Sequence, residues 1–328
     1  DALLGGLGGE RIWADVSDPL GRPLRASYGL LPDGSAVIEM AAAAGLPLLA
    51  PPERDPMKTT SFGAGLLMRH ALEKGCRRLY MGLGGSATVD GGTGAAAALG
   101  LCFLDASGME VRCGGQLSGI CRLEREAQGK EPAGIFLLND VRNELVGPNG
   151  AAAIFGPQKG ATPAQVEVLE AGLRHLAEFV RGQTGRDWSM LPGVGAAGGF
   201  GLPFLAFWGA EMRPGSDFVL DALDFEGKLA GTDLVITGEG RTDAQSAMGK
   251  AISGVGQRCR KLGVPLVVLS GALGEGAESL RALGASVLRQ ATPAGQGLED
   301  AMAHAGENLR AAARGLFRDL REGRLTLR

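Results

Sequence analysis

A chain of 328 residues, 45% hydrophobic and 21% charged, has the balance of an ordinary globular protein and the length of about two domains of ~150 residues. Its net charge of −3, with no dense Lys/Arg run, gives no reason to expect a nucleic-acid partner, and no apolar run approaches the ~20 residues of a membrane span. Five cysteines without a C-x-x-C pair, and three histidines of which two sit in helical patterns, argue against a disulfide framework, a zinc ribbon and a His-based metal site or triad.

The chain opens at Asp1 with no charged start followed by an apolar stretch, so no secretory pattern is read and a reducing, cytoplasmic setting is expected. Glycine is the outlier at 55 residues, against a usual share of about 7%. It is aperiodic and clusters between apolar runs, the pattern of loops that approach a ligand closely, although a Gly/Ala-rich genome would raise the count as well.

In chain order, the first clear pattern is a helix from about Thr59, with Thr59, Thr60 and Ser61 available as caps, Leu66, Leu67, His70 and Ala71 on neighbouring turns, and Gly75 as the stop. RLYMGL (78–83) reads as a buried strand, 95–99 as helix and LCFLD (101–105) as the next strand. GIFLLN (134–139) is a further strand. Pro163 to about Arg181 is a helix with capping-box spacing at Thr162 and Gln165 and an apolar stripe of Val166, Leu169, Leu173, Leu176 and Val180. The stretch 191–215 is apolar, Gly-rich and Pro-broken, and is expected to be packed loop. The last hundred residues alternate strand 233–238, a helix ending near Gly263, strand 265–271, helix 275–283, strand 286–290 and one final helix over 298–320. That alternation predicts a parallel sheet with ligands bound beyond the carboxyl ends of its strands.

Three segments following strands carry polar groups suited to chemistry. In GGSATVDGG, Gly84 and Gly85 expose backbone N–H groups, Ser86 and Thr88 add hydroxyls, and Asp90 offers a carboxylate for Mg²⁺ or a proton, with a following helix N-terminus to favour an anion. A tight turn in which Asp90 caps the next helix is the plainer alternative. In TGEGRTDAQSAMGK (237–250), Glu239 and Asp243 flank Arg241, an arrangement suited to a metal plus phosphate, and Lys250 adds a point charge; a surface ion-pair cluster is the alternative there. Asn139–Gly150 and Phe155–Ala161 hold Asp140, Asn143, Gln158 and Lys159, where turn chemistry alone would also select Asn, Gly and Pro. Neither a Walker motif nor a protein-kinase motif set is present. Gly82, Gly84 and Ala87 also fit G-x-G-x-x-A after a strand, with Asp105 placed to hold a ribose, which keeps an NAD(P)-dependent oxidoreductase open as an alternative.

Taken together, DPLGRPLRASYGLL (18–31), VIEMAAAAGLPLL (37–49), GLGGSATVDGGTGAAAALG (82–100), DVRNELVGPNGAAAIFGPQKGAT (140–162), GVGAAGGFG (193–201) and DLVITGEGRTDAQSAMGKA (233–251) resemble, in order, the bacterial-type (type I) glycerate kinase family. The resemblance implies ATP-dependent phosphorylation of D-glycerate at its 2-hydroxyl with Mg²⁺. It implies an α/β fold of two domains with the site in the cleft: a Rossmann-like (flavodoxin-like) parallel-sheet domain built from 1–10 and 229–328, and an inserted mixed α/β domain over 11–228. Asp90, Asp140, Glu239, Arg241 and Asp243 would face the site. A homodimer is left open, and a non-catalytic small-molecule binder is the third reading.

The family's opening P-D-S-F-K-G-like strand and D-G-G-E-G-like segment are not in the chain, which implies that about fifty residues precede Asp1 in a full family member. Val89, Arg142 and Glu144 depart from the family pattern, whereas Asp140 and Asn143 keep it. On this reading Glu239 and Asp243 hold Mg²⁺ on ATP, Asp90 is the base near the acceptor hydroxyl, and Arg241, with Asp243, forms the transfer machinery together with Lys250. Gly84, Gly85, Ser86, Thr88, Asp140, Asn143, Gln158 and Lys159 bind substrate or nucleotide, the N–H groups of Gly84–Ser86 being candidates for the glycerate carboxylate.

Overall fold

A computed structural model describes residues 2–126, 131–247 and 251–327, with Gln245 and Ala247 described in backbone only. It divides into two compact units, Asp1–Gly215 and Ser216–Arg328. Both are mixed α/β.

The first unit is built on a six-stranded sheet of β1 (Glu10–Ser17), β2 (Pro23–Leu30), β3 (Ala36–Glu39), β4 (Arg78–Gly82), β7 (Gly134–Leu138) and β8 (Glu211–Arg213), hydrogen-bonded in the order β1-β2-β3-β4-β7-β8. β5 (Leu101–Leu104) and β6 (Arg122–Arg125) form a separate antiparallel pair. β1 and β2 are an antiparallel hairpin with Trp13 opposite Ser27, and β3, β4, β7 and β8 run parallel. The hairpin turns where the Asp18 carboxylate accepts from the N–H groups of Leu20 and Arg22 at 2.8 and 2.9 Å.

The helix Pro163–Thr184 forms as its sequence predicts: Thr162 accepts from Gln165 N, Gln165 Oε1 accepts from Thr162 N at 2.9 Å, and Gly185 ends it at φ +73°. Leu169, Leu173, Leu176 and Val180 have no exposed surface. Each buried Leu contributes roughly 2 kcal/mol of apolar burial. The helix Phe62–Glu73 starts one residue after Ser61, but Ser61 does not cap it with its hydroxyl. That hydroxyl is used elsewhere, as described below. The segment 191–215 is more ordered than expected: a 3-10 turn at Ala196–Gly198, a helix at Gly201–Phe207, and β8 on the sheet edge. Pro203 is tolerated because it lies in the first helical turn, where its missing N–H is not needed.

The second unit holds β9 (Val235–Thr242), β10 (Leu266–Leu273) and β11 (Ala285–Gln290) in a parallel sheet ordered β11-β10-β9. Alternate residues of β10 enter different cores: Leu266 and Val268 pack with Ile252, Cys259 and Leu280, and Val267 and Leu269 with Leu316. Burial on both faces is the signature of a parallel sheet flanked by helices. Two expectations are corrected here. The final helix is broken at His304 (φ −105°) into Leu298–Ala303 and Ala305–Arg321. Gly238 to Thr242 is strand rather than loop, with Glu239 opposite Ser270 and Arg241 opposite Ala272. The glycine that suggested a loop permits close strand approach instead: a Cβ on Gly238 would lie 2.5 Å from the Leu269 carbonyl oxygen.

Candidate active site

The parallel pairing of β4 with β7 brings two of the motif segments to one end of the first unit's sheet. Leu83 N donates to Leu138 O at 3.0 Å, and Gly84–Gly94 and Asn139–Gly150 begin side by side from there. Gly84 and Gly85 are exposed, whereas every residue from Ser86 to Asp90 is buried. The turn is pinned from several sides. Gly85 O accepts from Leu46 N at 2.8 Å, Ala87 N donates to Ala44 O at 2.9 Å, and Thr59 Oγ1 donates to Ala87 O at 2.9 Å. Among the described residues no acceptor is bonded to the N–H groups of Gly84, Gly85 and Ser86. A rigid turn with three free donors is a ready anion cradle.

Asp90 lies beneath that turn with no exposed surface. Its Oδ2 accepts from Ser61 N at 2.7 Å and Ser61 Oγ at 2.6 Å, and its Oδ1 accepts from Gly92 N at 3.2 Å. Ser61 Oγ in turn accepts from Ala95 N at 3.0 Å. The Asp90 carboxyl thus takes the Gly92 N–H just before the helix Thr93–Ala98. Burial pushes the Asp90 carboxyl above its ordinary range, against the pull of the hydrogen bonds from Ser61 and Gly92.

Lys159 is the second buried ionisable group. Its Nζ donates to Ser86 Oγ and to Thr88 O, each at 2.8 Å, with 2% of the residue exposed. Burial drives its pKa down from 10.5 to about 7, partly offset by the field of Asp90. Thr88 Oγ1 is buried without a partner among the described residues. Sequence reasoning took Lys159 as a substrate- or nucleotide-binding residue in a separate segment; a lysine in a short Pro-Gln-Lys-Gly turn carries no signal of burial.

The loop of the GVGAAGGFG segment packs against the same turn. Gly91 N donates to Gly198 O at 3.0 Å, and a Cβ on Gly198 (φ +70°) would lie 2.2 Å from Thr88 O. Ala197 beside it holds φ +52°, a left-handed conformation that costs a non-glycine residue about 1 kcal/mol. The carbonyl of Asn143 accepts from Gly193 N and Gly195 N at 3.1 and 3.0 Å, while its amide Nδ2 donates to Asn149 O at 2.8 Å. Asn143 therefore shapes both loops. Asp140 and Gln158 are exposed.

On the second unit, Glu239, Arg241 and Asp243 lie at the carboxyl end of β9. Glu239 Oε1 accepts from Thr242 Oγ1 at 2.8 Å, and Thr242 Oγ1 lies 2.6 Å from Ser270 Oγ. Arg241 Nε is 3.5 Å from Asp243 Oδ2, with the guanidinium side chain 69% exposed. Among the described residues there is no group of three or more His, Cys, Asp or Glu that could by itself hold a metal ion. The residues present still fit Mg²⁺ carried on a nucleotide, because that ion uses one or two carboxylates plus phosphate oxygens and water. Lys250 lies outside the described residues.

The dinucleotide alternative loses its second element. Asp105 directly follows β5 of the separate two-stranded sheet, and its Oδ1 accepts from Ser107 N, Ser107 Oγ and Met109 N at 2.9, 2.6 and 3.0 Å. That carboxylate closes a turn.

Comparison with known proteins decides the family. A model of the glycerate kinase family matches residues 1–321. The chain belongs to the glycerate kinase family. It is 40% identical over 317 residues to a glycerate kinase of Bacillus subtilis (strain 168), covering 95% of this chain and 83% of that one. It is 42% identical over 278 residues to a glycerate 2-kinase of Escherichia coli (strain K12), covering 83% and 73%. A solved structure from Salmonella typhimurium LT2, assigned as glycerate kinase 2, superposes with a TM-score of 0.81 at 39% identity, covering 98% of this chain and 85% of that one. This chain therefore has the fold of that Salmonella typhimurium LT2 protein over nearly its whole length. No helix among the described residues is long and apolar enough to cross a membrane.

Proposed function

We propose that this chain transfers the γ-phosphoryl group of ATP to the 2-hydroxyl of D-glycerate, releasing ADP and 2-phosphoglycerate. The observation that carries the reading is 40% identity to a glycerate kinase across 95% of the chain. Phosphoryl transfer asks for positioning and charge neutralisation more than for covalent help. The site supplies both kinds of group.

In the first unit, the N–H groups of Gly84, Gly85 and Ser86 receive the glycerate carboxylate. Asp140, exposed at the end of β7, accepts the proton of the attacking hydroxyl. Asp90, although expected as that base, supports the turn from below through Ser61 and Gly92. In the second unit, Glu239 and Asp243 hold Mg²⁺ on the nucleotide. When bound there, that ion neutralises phosphate charge. Arg241 reaches the phosphate oxygens, for which its exposed, forked donors are suited. The reaction takes place in the cytoplasm.

The test follows ADP release with ATP–Mg²⁺ and D-glycerate, in parallel with NADH binding by tryptophan fluorescence. ADP release that requires D-glycerate, together with no NADH binding, is expected. Tight NADH binding without ADP release overturns the reading in favour of the oxidoreductase.

A further inference from the structure

Lys159 is the least expected group in the first unit: a cation held in the interior, with its two hydrogen bonds among the described residues both made to one turn of chain. A buried charged lysine costs several kcal/mol unless it is paired and hydrogen-bonded. Among the described residues no ion pair satisfies Lys159 directly, and its partners at 2.8 Å are a hydroxyl and a backbone carbonyl. Those partners are Ser86 and Thr88. Two residues before Ser86, the same turn emerges as exposed Gly84–Gly85, whose N–H groups have no acceptor among the described residues. The ammonium thus clamps the buried limb of a turn whose exposed limb is free to bind an anion.

We propose that Lys159 is a positioning residue for phosphoryl transfer: it touches neither substrate nor nucleotide, and it sets the geometry of the Gly84–Ser86 donors by holding Ser86 Oγ and Thr88 O together. The proposal rests on the reading that those donors receive the acceptor's carboxylate. Three further features support a clamp. Thr88 Oγ1 is buried and unpartnered among the described residues, so Thr88 is tied on that side through its carbonyl, which the lysine holds. The opposite side is bounded by Gly198, which approaches the Thr88 carbonyl too closely for any side chain. Asp90 fixes the end of the same loop to Ser61.

Among the described residues the charged group bearing on Lys159 is Asp90, whose field favours the ammonium. The ammonium is the state that donates strongly, and it is present below about pH 7 in the free protein. The clamp therefore loosens as pH rises through that value, and the alkaline limb of kcat/KM should lie there, because that ratio reports groups of the free enzyme.

Steady-state kinetics of the parent, Lys159→Met and Ser86→Ala over this pH range, alongside thermal melting, test the role. Misplacing a donor by about 1 Å costs on the order of 10²-fold, so Lys159→Met should lower kcat by about that factor, leave both KM values within about threefold, and abolish the alkaline limb. A KM that rises by the larger factor while kcat holds overturns the proposal, because it marks direct contact. A lower melting temperature with parental kcat in the folded fraction also overturns it, because it marks a purely structural lysine. Should Lys159→Met not fold, Ser86→Ala decides. Losing one acceptor of the ammonium should lower kcat roughly tenfold and move the alkaline limb to lower pH; parental values of both overturn the clamp. Absence of D-glycerate-dependent turnover in the parent would overturn the function and the clamp together, whereas parental turnover with an unaltered Lys159→Met overturns the clamp alone.

Discussion

Replacing Gly198 by alanine tests how the two glycine loops of the first unit lock together. The new Cβ would lie 2.2 Å from the Thr88 carbonyl oxygen and 2.5 Å from Val89 Cα, both backbone atoms that cannot swing away. The residue also sits at φ +70°, where an L side chain costs about 1 kcal/mol. Relief requires the 191–199 segment to shift, which breaks the 3.0 Å bond from Gly91 N to Gly198 O and leaves a buried donor at a cost of about 1–3 kcal/mol. The sum is roughly 2–4 kcal/mol. For a unit of this size that corresponds to a fall in melting temperature of roughly 5–15 °C. Gly182 is the control: it lies inside the Pro163–Thr184 helix, and a Cβ there meets nothing within 4 Å. Gly182→Ala should raise stability by about 0.5–1 kcal/mol. Differential scanning calorimetry of both variants reads the two effects. Equal melting temperatures for Gly198→Ala and Gly182→Ala would refute the packing of Gly198 on the Asp90 loop.

Three other outcomes are expected. Ala197→Gly relieves the left-handed alanine and should stabilise the protein by about 0.5–1 kcal/mol in urea titrations; a loss of stability contradicts strain at that position. Lys159 is held near 7 against 10.5 in an unfolded chain, so between those values the unfolded state binds more protons and this group's contribution to stability rises with pH. Lys159→Met should flatten that rise in denaturant titrations across the window, and an unchanged slope contradicts a depressed pKa. Asp140→Asn should lower kcat by about 10²-fold with little change in melting temperature, since its side chain is exposed; a variant within a few-fold of the parent removes Asp140 from proton transfer.

Much of this fold is legible where local chemistry and tertiary packing agree. The Pro163–Thr184 helix announces itself through a capping box, a proline at its first position and a 3.6-residue stripe, and the structure uses all three. The parallel sheet of the second unit follows from the alternation of apolar strands and helices. The glycines misled where one residue type serves two purposes: Gly84 and Gly85 form an open turn, but Gly238 lets two strands approach. Those cases differ only in what lies opposite, which no local pattern records. The β1–β2 hairpin went unread, although the Asp-Pro-Leu-Gly turn between two alternating runs was a usable signal. For the site, the polar residues were legible and their burial was not. Asp90 and Lys159 look alike in sequence to exposed catalytic groups. Their burial depends on Ser61, Thr88 and the packing of distant loops.

The central claim is transfer to a particular oxygen of D-glycerate, and the phosphorus spectrum of the reaction reports it directly. With ATP, Mg²⁺ and D-glycerate, ³¹P NMR should show ATP giving ADP and a phosphomonoester split into a doublet by the single C2 proton. A triplet would place the phosphate on the CH₂ carbon, and inorganic phosphate or unchanged ATP in place of any phosphomonoester would contradict the account.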